Sequence, residues 1–260
     1  MESIYGVSSV HFPWNSVEET FEQCVKSNFD LIEFFTDRFT DEQAKKIRQL
    51  SSKTGVKVGY HAPYVGEYDL GINATKDLLP KIDEIMQIAT GIEAKYVVTH
   101  LGTYGADRGQ SLEHLVSLLS KHVVPRLEEH DIPLGLENFT LCHGDKALGD
   151  RISDFEYIFS NVKSPLIRLT IDYGHGHITR DLDDYIERLG HKLVSTHIAD
   201  NDTTDDQHVA VGKGTVAWGK VIEATVRTGF RGPFIMECDD PVGSGQKIRR
   251  IIETVDTEGK

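Results

Sequence analysis

Cysteine is scarce: Cys24, Cys142 and Cys238 are the only three in 260 residues. An odd number at wide spacing argues against a disulfide framework and fits a reducing cytoplasm. It also excludes a thiolate zinc ribbon. Long apolar runs are missing too. No stretch approaches the ~20 residues that cross a bilayer, so no membrane partner is expected. The opening "MESIYGVSS" has neither the basic nor the apolar region of a secretion signal. Basic residues are in deficit, with 28 Lys and Arg against 41 Asp and Glu and a net charge of −13. Such a chain repels a phosphate backbone at long range, which disfavours broad nucleic-acid binding. A local metal cluster could still reverse the field at one site. A G-x-G-x-x-G motif after the first strand is absent, as are linkers and low-complexity segments.

What remains is a regular alternation. Hydrophobic residues make up 39% and charged residues 27%, the balance of a globular chain. Short β-rich runs occupy residues 3–10, 30–35, 56–61, 95–100, 132–138, 166–172, 192–197 and 233–238. Amphipathic helical patterns separate them, such as "VEETFEQCVKSN", "TDEQAKKIRQLSSKTG", "TKDLLPKIDEIMQIATGIEA" and "SLEHLVSLLSKHVVPRLEEH". Several close on Gly, Asn or His before the next strand, as helix stops should. Strand–helix alternation implies a parallel sheet. Eight such units in 260 residues suit a single (β/α)₈ TIM barrel of about 250 residues as one domain, 1–260. An open doubly wound sheet is the alternative.

The strand ends carry the chemistry. His61 ends the third run in "YHAPY", His100 the fourth in "THLG", and Glu137 the fifth in "LEN". Asp172 ends the sixth, followed by His175 and His177 in "IDYGHGH". His197 ends the seventh, whose loop carries Asp206 and His208, and Glu237 ends the eighth in "MEC". A barrel places its active site at the C-terminal ends of its strands. These six strands therefore aim an imidazole or a carboxylate at one mouth. Carboxylates gathered so closely need cations to offset their repulsion. Imidazole plus carboxylate without thiolate suits a divalent metal such as zinc or manganese.

With these strand ends in place, the chain resembles the xylose-isomerase-like barrel superfamily, over nearly its whole length from the second strand to the eighth. That group holds sugar and sugar-phosphate isomerases and epimerases, and the endonuclease IV class of abasic-site nucleases. The nuclease branch implies three zinc ions. His61, His100 and Glu137 would hold the first. Glu137, Asp172, His197 and Glu237 would hold the second, and His175, Asp206 and His208 the third. The isomerase branch implies one metal on Glu137, Asp172, His197 and Glu237, which both branches share. The surroundings favour a sugar or sugar phosphate as partner over nucleic acid. "ENFTLCHGD" stands where the nucleases carry "ENTAGQG", "EFFTDRFTDEQ" is acidic where they read DNA, and "DQH" replaces their "DRH". Against this, Tyr64 in "HAPY" matches a tyrosine that meets DNA, and the arginine usual after the seventh-strand histidine in epimerases is absent from "NDTTDD".

The expected reaction is proton transfer through a metal-stabilised enediolate, with Glu137 and Glu237 on opposite sides of the reacting carbon and His175 hydrogen-bonding a substrate oxygen. A trinuclear zinc phosphodiesterase is the alternative, and a non-catalytic metal-stabilised barrel the third reading. Other residues read more plainly. Asp206 and His208 sit in a polar loop that a solvated turn would also explain. His177 reads as a neighbour of the site, Cys238 as a small buried hydrophobe, and "GKG" at 212–214 as a turn. His11, His114, His122, His130, His143 and His191 read as surface or helix residues. Glu33 reads as a polar wall of the mouth. Phe12 and Trp14 read as an apolar pocket side or as packing under a loop. Barrels of this class often form homo-oligomers.

Overall fold

The computed structural model describes residues 2–12, 16–36, 38–140 and 146–258. Trp14, Cys142 and His143 lie outside the described residues. Eight parallel strands close into a barrel in chain order. They are β1 (Tyr5–Ser8), β2 (Leu31–Phe35), β3 (Lys57–His61), β4 (Val97–His100), β5 (Leu134–Glu137), β6 (Ile167–Asp172), β7 (Leu193–Ile198) and β8 (Phe234–Met236). The ladder closes between β1 and β8, with Val7 opposite Met236.

The helices α1 (Val17–Lys26), α2 (Asp41–Thr54), α3 (Thr75–Gly91), α4 (Arg108–Leu118), α5 (Val124–His130), α6 (Ile152–Asn161), α7 (Tyr173–Thr179), α8 (Leu182–Leu189), α9 (Trp218–Arg227) and α10 (Pro241–Glu258) surround it. Their boundaries follow local chemistry. Thr40 and Gln43 form a reciprocal capping box that starts α2, and Gly55 ends it at φ 80°. The amphipathic run at 111–130 does not make one helix. A π turn at Leu119–Val123 separates α4 from α5. Pro125, in the first turn of α5, has no N–H to continue the α-helical ladder, so the chain must rewind there.

Strand alternation sorts residues between two environments. Outward side chains such as Ile32, Phe34, Val58 and Leu136 meet the helices in the main hydrophobic cluster. Leu31, Tyr96, Val98 and Ile235 form a second, smaller cluster, on strand positions that alternation turns toward the axis. Two inward glycines make room there. A Cβ at Gly59 would lie 2.7 Å from the Tyr96 ring, and one at Gly135 would lie 2.2 Å from Thr170 Oγ1. The barrel is thus filled through its middle, and the polar strand ends are confined to the rim.

Candidate functional site

At the C-terminal rim the strand-end side chains converge. Glu137, the last residue of β5, is 1% exposed. Its Oε2 lies 3.0 Å from His61 Nε2 and 3.2 Å from His100 Nε2. Its Oε1 lies 2.9 Å from His197 Nδ1. Glu237 Oε2 reaches the same His197 Nδ1 at 2.9 Å. The two glutamates therefore meet at one imidazole nitrogen. Asp172, His197 and Glu237 place one donor atom each within 4.8 Å of one another, as do His175, Asp206 and His208.

Two local devices build the second of these clusters. The chain turns straight from β6 into α7, and Asp172 caps that helix by accepting from His175 N at 2.7 Å. One residue thereby serves the rim and orients the next histidine. In the β7–α9 loop, buried Asp200 accepts from Asn201 N, Gly212 N, Val216 N and Trp218 Nε1 at 2.7–3.1 Å. The loop wraps around this carboxylate and presents Asp206 and His208 to the mouth. The glycines of "GKG" belong to that wrapping, a structural turn.

Three imidazoles are pinned in one tautomer. His61 Nδ1 donates to Ala62 O, His175 Nδ1 to Asn138 O, and His208 Nδ1 to Glu237 O, at 3.0, 2.9 and 2.7 Å. A carbonyl only accepts, so the proton sits on Nδ1. Each ring then aims Nε2 at a carboxylate oxygen: Glu137 Oε2 for His61 and Asp206 Oδ2 for His175 and His208. A bare nitrogen lone pair facing a carboxylate is repulsive unless a cation intervenes, either a second ring proton or a metal ion. Histidine metal ligands show this pattern, with the far nitrogen tied to a carbonyl or carboxylate. The residues present therefore fit divalent cations.

The electrostatics agree. Burial opposes charge on His175, but Asp172, Asp206 and Glu137 outweigh it and hold the ring up at about 10. Burial likewise opposes charge on His208, yet Asp206 holds it up at about 9. Burial pushes Asp172 up to about 6. It would raise Glu237 as well, but His197 brings that carboxyl down to about 2. His100 goes the other way, driven by burial to about 3, and is a neutral donor.

The cavity above these groups measures about 290 Å³. Phe35, Tyr64 and Phe139 form an aromatic side, with Tyr64 and His100 rings 3.9 Å apart and Phe139 and His100 4.7 Å apart. His11 also lines the cavity and stacks on His208 at 5.0 Å and 18°. Its reading as a plain surface residue is corrected: His11 lies three residues past the end of β1, in the loop at the mouth. Glu33 is corrected too. It does not wall the mouth. It is 0% exposed and accepts from His197 Nε2 at 2.9 Å. Phe12 packs edge-on to Phe29 at 6.1 Å, and His177 bonds Thr215 Oγ1 at 2.8 Å. Cys238 is buried beside Ser244.

The sequence profile of the xylose isomerase-like TIM barrel family matches residues 21–256. The chain belongs to this family. Similar to it is an uncharacterised protein of Methanocaldococcus jannaschii, 25% identical over 96% of this chain and 90% of that one. A D-tagatose 3-epimerase-like protein superposes with a TM-score of 0.86 at 23% identity, covering 99% of this chain and 100% of the other. A family 2 AP endonuclease from Brucella melitensis gives 0.76 at 15% identity, over 91% and 93%. At these identities both structures speak for the fold alone. Among the described residues of this xylose isomerase-like barrel, no helix is long and apolar enough to cross a membrane.

Proposed function

We propose that the protein is a divalent-metal-dependent isomerase or epimerase of a small unphosphorylated sugar. One observation carries the reading: among the described residues, the cavity wall contains no Lys or Arg. A phosphorylated substrate would meet carboxylates with no guanidinium or ammonium to pair its charge. A neutral polyol meets what it needs, hydrogen-bonding groups on one side and the faces of Phe35, Tyr64 and Phe139 on the other.

We assign Glu137, Asp172, His197 and Glu237 to a first cation, zinc or manganese. When bound, it supplies the positive charge that stabilises negative charge developing on the substrate oxygens. Glu237 has a side chain 12% exposed, whereas Glu137 and His197 are at 2% and 0%. It therefore opens most directly on the cavity and takes the proton from the reacting carbon. Glu137 or Glu237 returns it, the choice setting whether the product is an isomer or an epimer. His175 hydrogen-bonds a substrate oxygen.

The test is solvent exchange. Purified protein with manganese or zinc is expected to move deuterium from D₂O into members of a ketose panel, and Glu237→Gln to lose that exchange by about 10²–10⁴-fold. A second reading rests on the cluster His175–Asp206–His208, which in a three-ion site would supply the cations a phosphodiester needs. Metal-dependent nicking of an abasic-site duplex, three ions per chain and no sugar exchange would replace the first reading with the second. Glu137→Gln and Glu237→Gln indistinguishable from wild type in both assays would leave a binding barrel without turnover.

A further inference from the structure

The opposite pole of the barrel holds an unexplained cation. Thr170 points inward, where its hydroxyl pairs with Ser195 Oγ at 2.8 Å, and Asp172 lies at the mouth. By strand alternation Arg168, two residues earlier on β6, also projects inward but at the N-terminal end. Its register partner on β5 is Gly135. Arg168 is partly buried, and its one hydrogen bond among the described residues runs from Nη2 to the Leu193 carbonyl at 2.9 Å. Among the described residues no carboxylate lies within 4.0 Å of it. Burial accordingly lowers its pKa, with no acidic neighbour to restore it. This is unexpected in a chain where acidic residues outnumber basic ones, 41 to 28. Its guanidinium is only partly withdrawn from water and remains open to an anion.

Lys57 on β3 is a second cation, exposed at its strand's start. It alternates with Gly59 and His61, stands at the same pole, and has no ion pair among the described residues. Both cations line one cavity of about 1080 Å³, and His191 joins them on its wall. The other basic groups there are engaged. Arg249 lies 3.8 Å from the Tyr5 ring centroid, and Arg231 sits 3.5 Å from Asp256. Asp30, on the same wall, accepts from Tyr5 N at 2.9 Å. Glu2 and Glu253 also line the cavity without forming an ion pair to Arg168 or Lys57.

We propose that this pole is a second binding site, separate from the catalytic mouth, for a small molecule carrying a phosphate. Arg168 supplies the planar donor fork for the phosphate oxygens and Lys57 a second charge. Neither cation has an ion-pair partner among the described residues, and two cations match a dianion better than a singly charged carboxylate. The cavity leaves room beside the phosphate for an organic group. The site is independent of the proposed reaction.

Calorimetric titration of the full-length protein with inorganic phosphate, in buffers of matched ionic strength, tests this. Wild type is expected to bind phosphate, and Arg168→Met to bind it about tenfold or more weakly. Lys57→Gln, an exposed change that leaves folding intact, is expected to weaken it severalfold. Glu137→Gln, at the other pole, is expected to leave phosphate affinity unchanged. Without phosphate, Arg168→Met should melt close to wild type, because the guanidinium is partly exposed and has no ion pair among the described residues. Absence of phosphate binding by wild type would overturn the site. So would undiminished binding by both pole variants, loss of binding in Glu137→Gln, or acetate bound as tightly as phosphate.

Discussion

Glu33 Oε1 accepts a hydrogen bond from His197 Nε2 at 2.9 Å, both side chains being fully buried. The bond holds the His197 ring with Nδ1 turned toward Glu137 and Glu237. Glu33 is thus a positioning residue: it acts on the site through an imidazole without facing the cavity.

The first prediction follows from this pair. Removing such an outer carboxylate typically weakens metal binding by about 10–100-fold. Glu33→Ala should show that loss in a competition titration with a chelating dye. Glu33→Gln, whose amide oxygen can still accept from Nε2, should recover part of it. A metal affinity within twofold of wild type for Glu33→Ala would show that His197 needs no partner beneath it.

The pinned histidines predict a pH dependence for the metal-free protein. His175 is held at about 10 and His208 at about 9 in the folded chain, against about 6.5 when unfolded. Folded pKa values above the unfolded ones mean that the native state binds more protons between those limits. The stabilisation is complete below pH about 6.5 and is lost as pH rises toward 9–10. Urea midpoints of chelator-treated protein should therefore fall from pH 7 to pH 9.5. With metal bound the ring protons are displaced, so metal affinity should rise over the same interval and binding should release protons. A flat midpoint profile in the metal-free protein would contradict the assigned protonation.

Asp200 predicts a structural coupling. Four donors converge on its buried carboxylate. Asp200→Ala leaves them without a partner, at about 1–3 kcal/mol for each donor that water cannot reach. A loss of about 3 kcal/mol in urea denaturation is expected, along with faster proteolysis within residues 199–217. Unchanged stability would mean that the loop is held by other contacts.

Gly135 tests the packing of the barrel interior. A Cβ there would lie 2.2 Å from Thr170 Oγ1 and 2.8 Å from Val194 Cγ1. Gly135→Ala should cost about 1–3 kcal/mol through forced displacement of these side chains, read as a lower denaturation midpoint. A midpoint equal to wild type would show that the interior can yield.

Much of the fold and the rim could be read from one dimension. Each strand run sits within two residues of an observed strand, because a buried parallel strand needs a compact, mostly apolar run. The barrel rule then sends its last residue to one face. Glu137 and Asp172 end their strands, His197 is the last but one residue of β7, and Glu237 directly follows Met236, the last residue of β8. That is why spacing alone gathers them. His11 escaped because the first run, read as 3–10, gave no polar terminal residue, whereas β1 ends at Ser8 and leaves His11 in the mouth loop.

Periodicity thus determined that eight strand–helix units build this chain and that their ends bring imidazoles and carboxylates to one rim. Which nitrogen of each histidine faces that rim was decided only by the tertiary structure, through carbonyls of Ala62, Asn138 and Glu237 and the carboxylate of Glu33. The same holds for Arg168, whose lack of an acidic partner among the described residues cannot be inferred from its neighbours in sequence. Pattern along a chain reports which way a side chain points. Its partners come from strands far apart in sequence, and only closure of the barrel sets those distances.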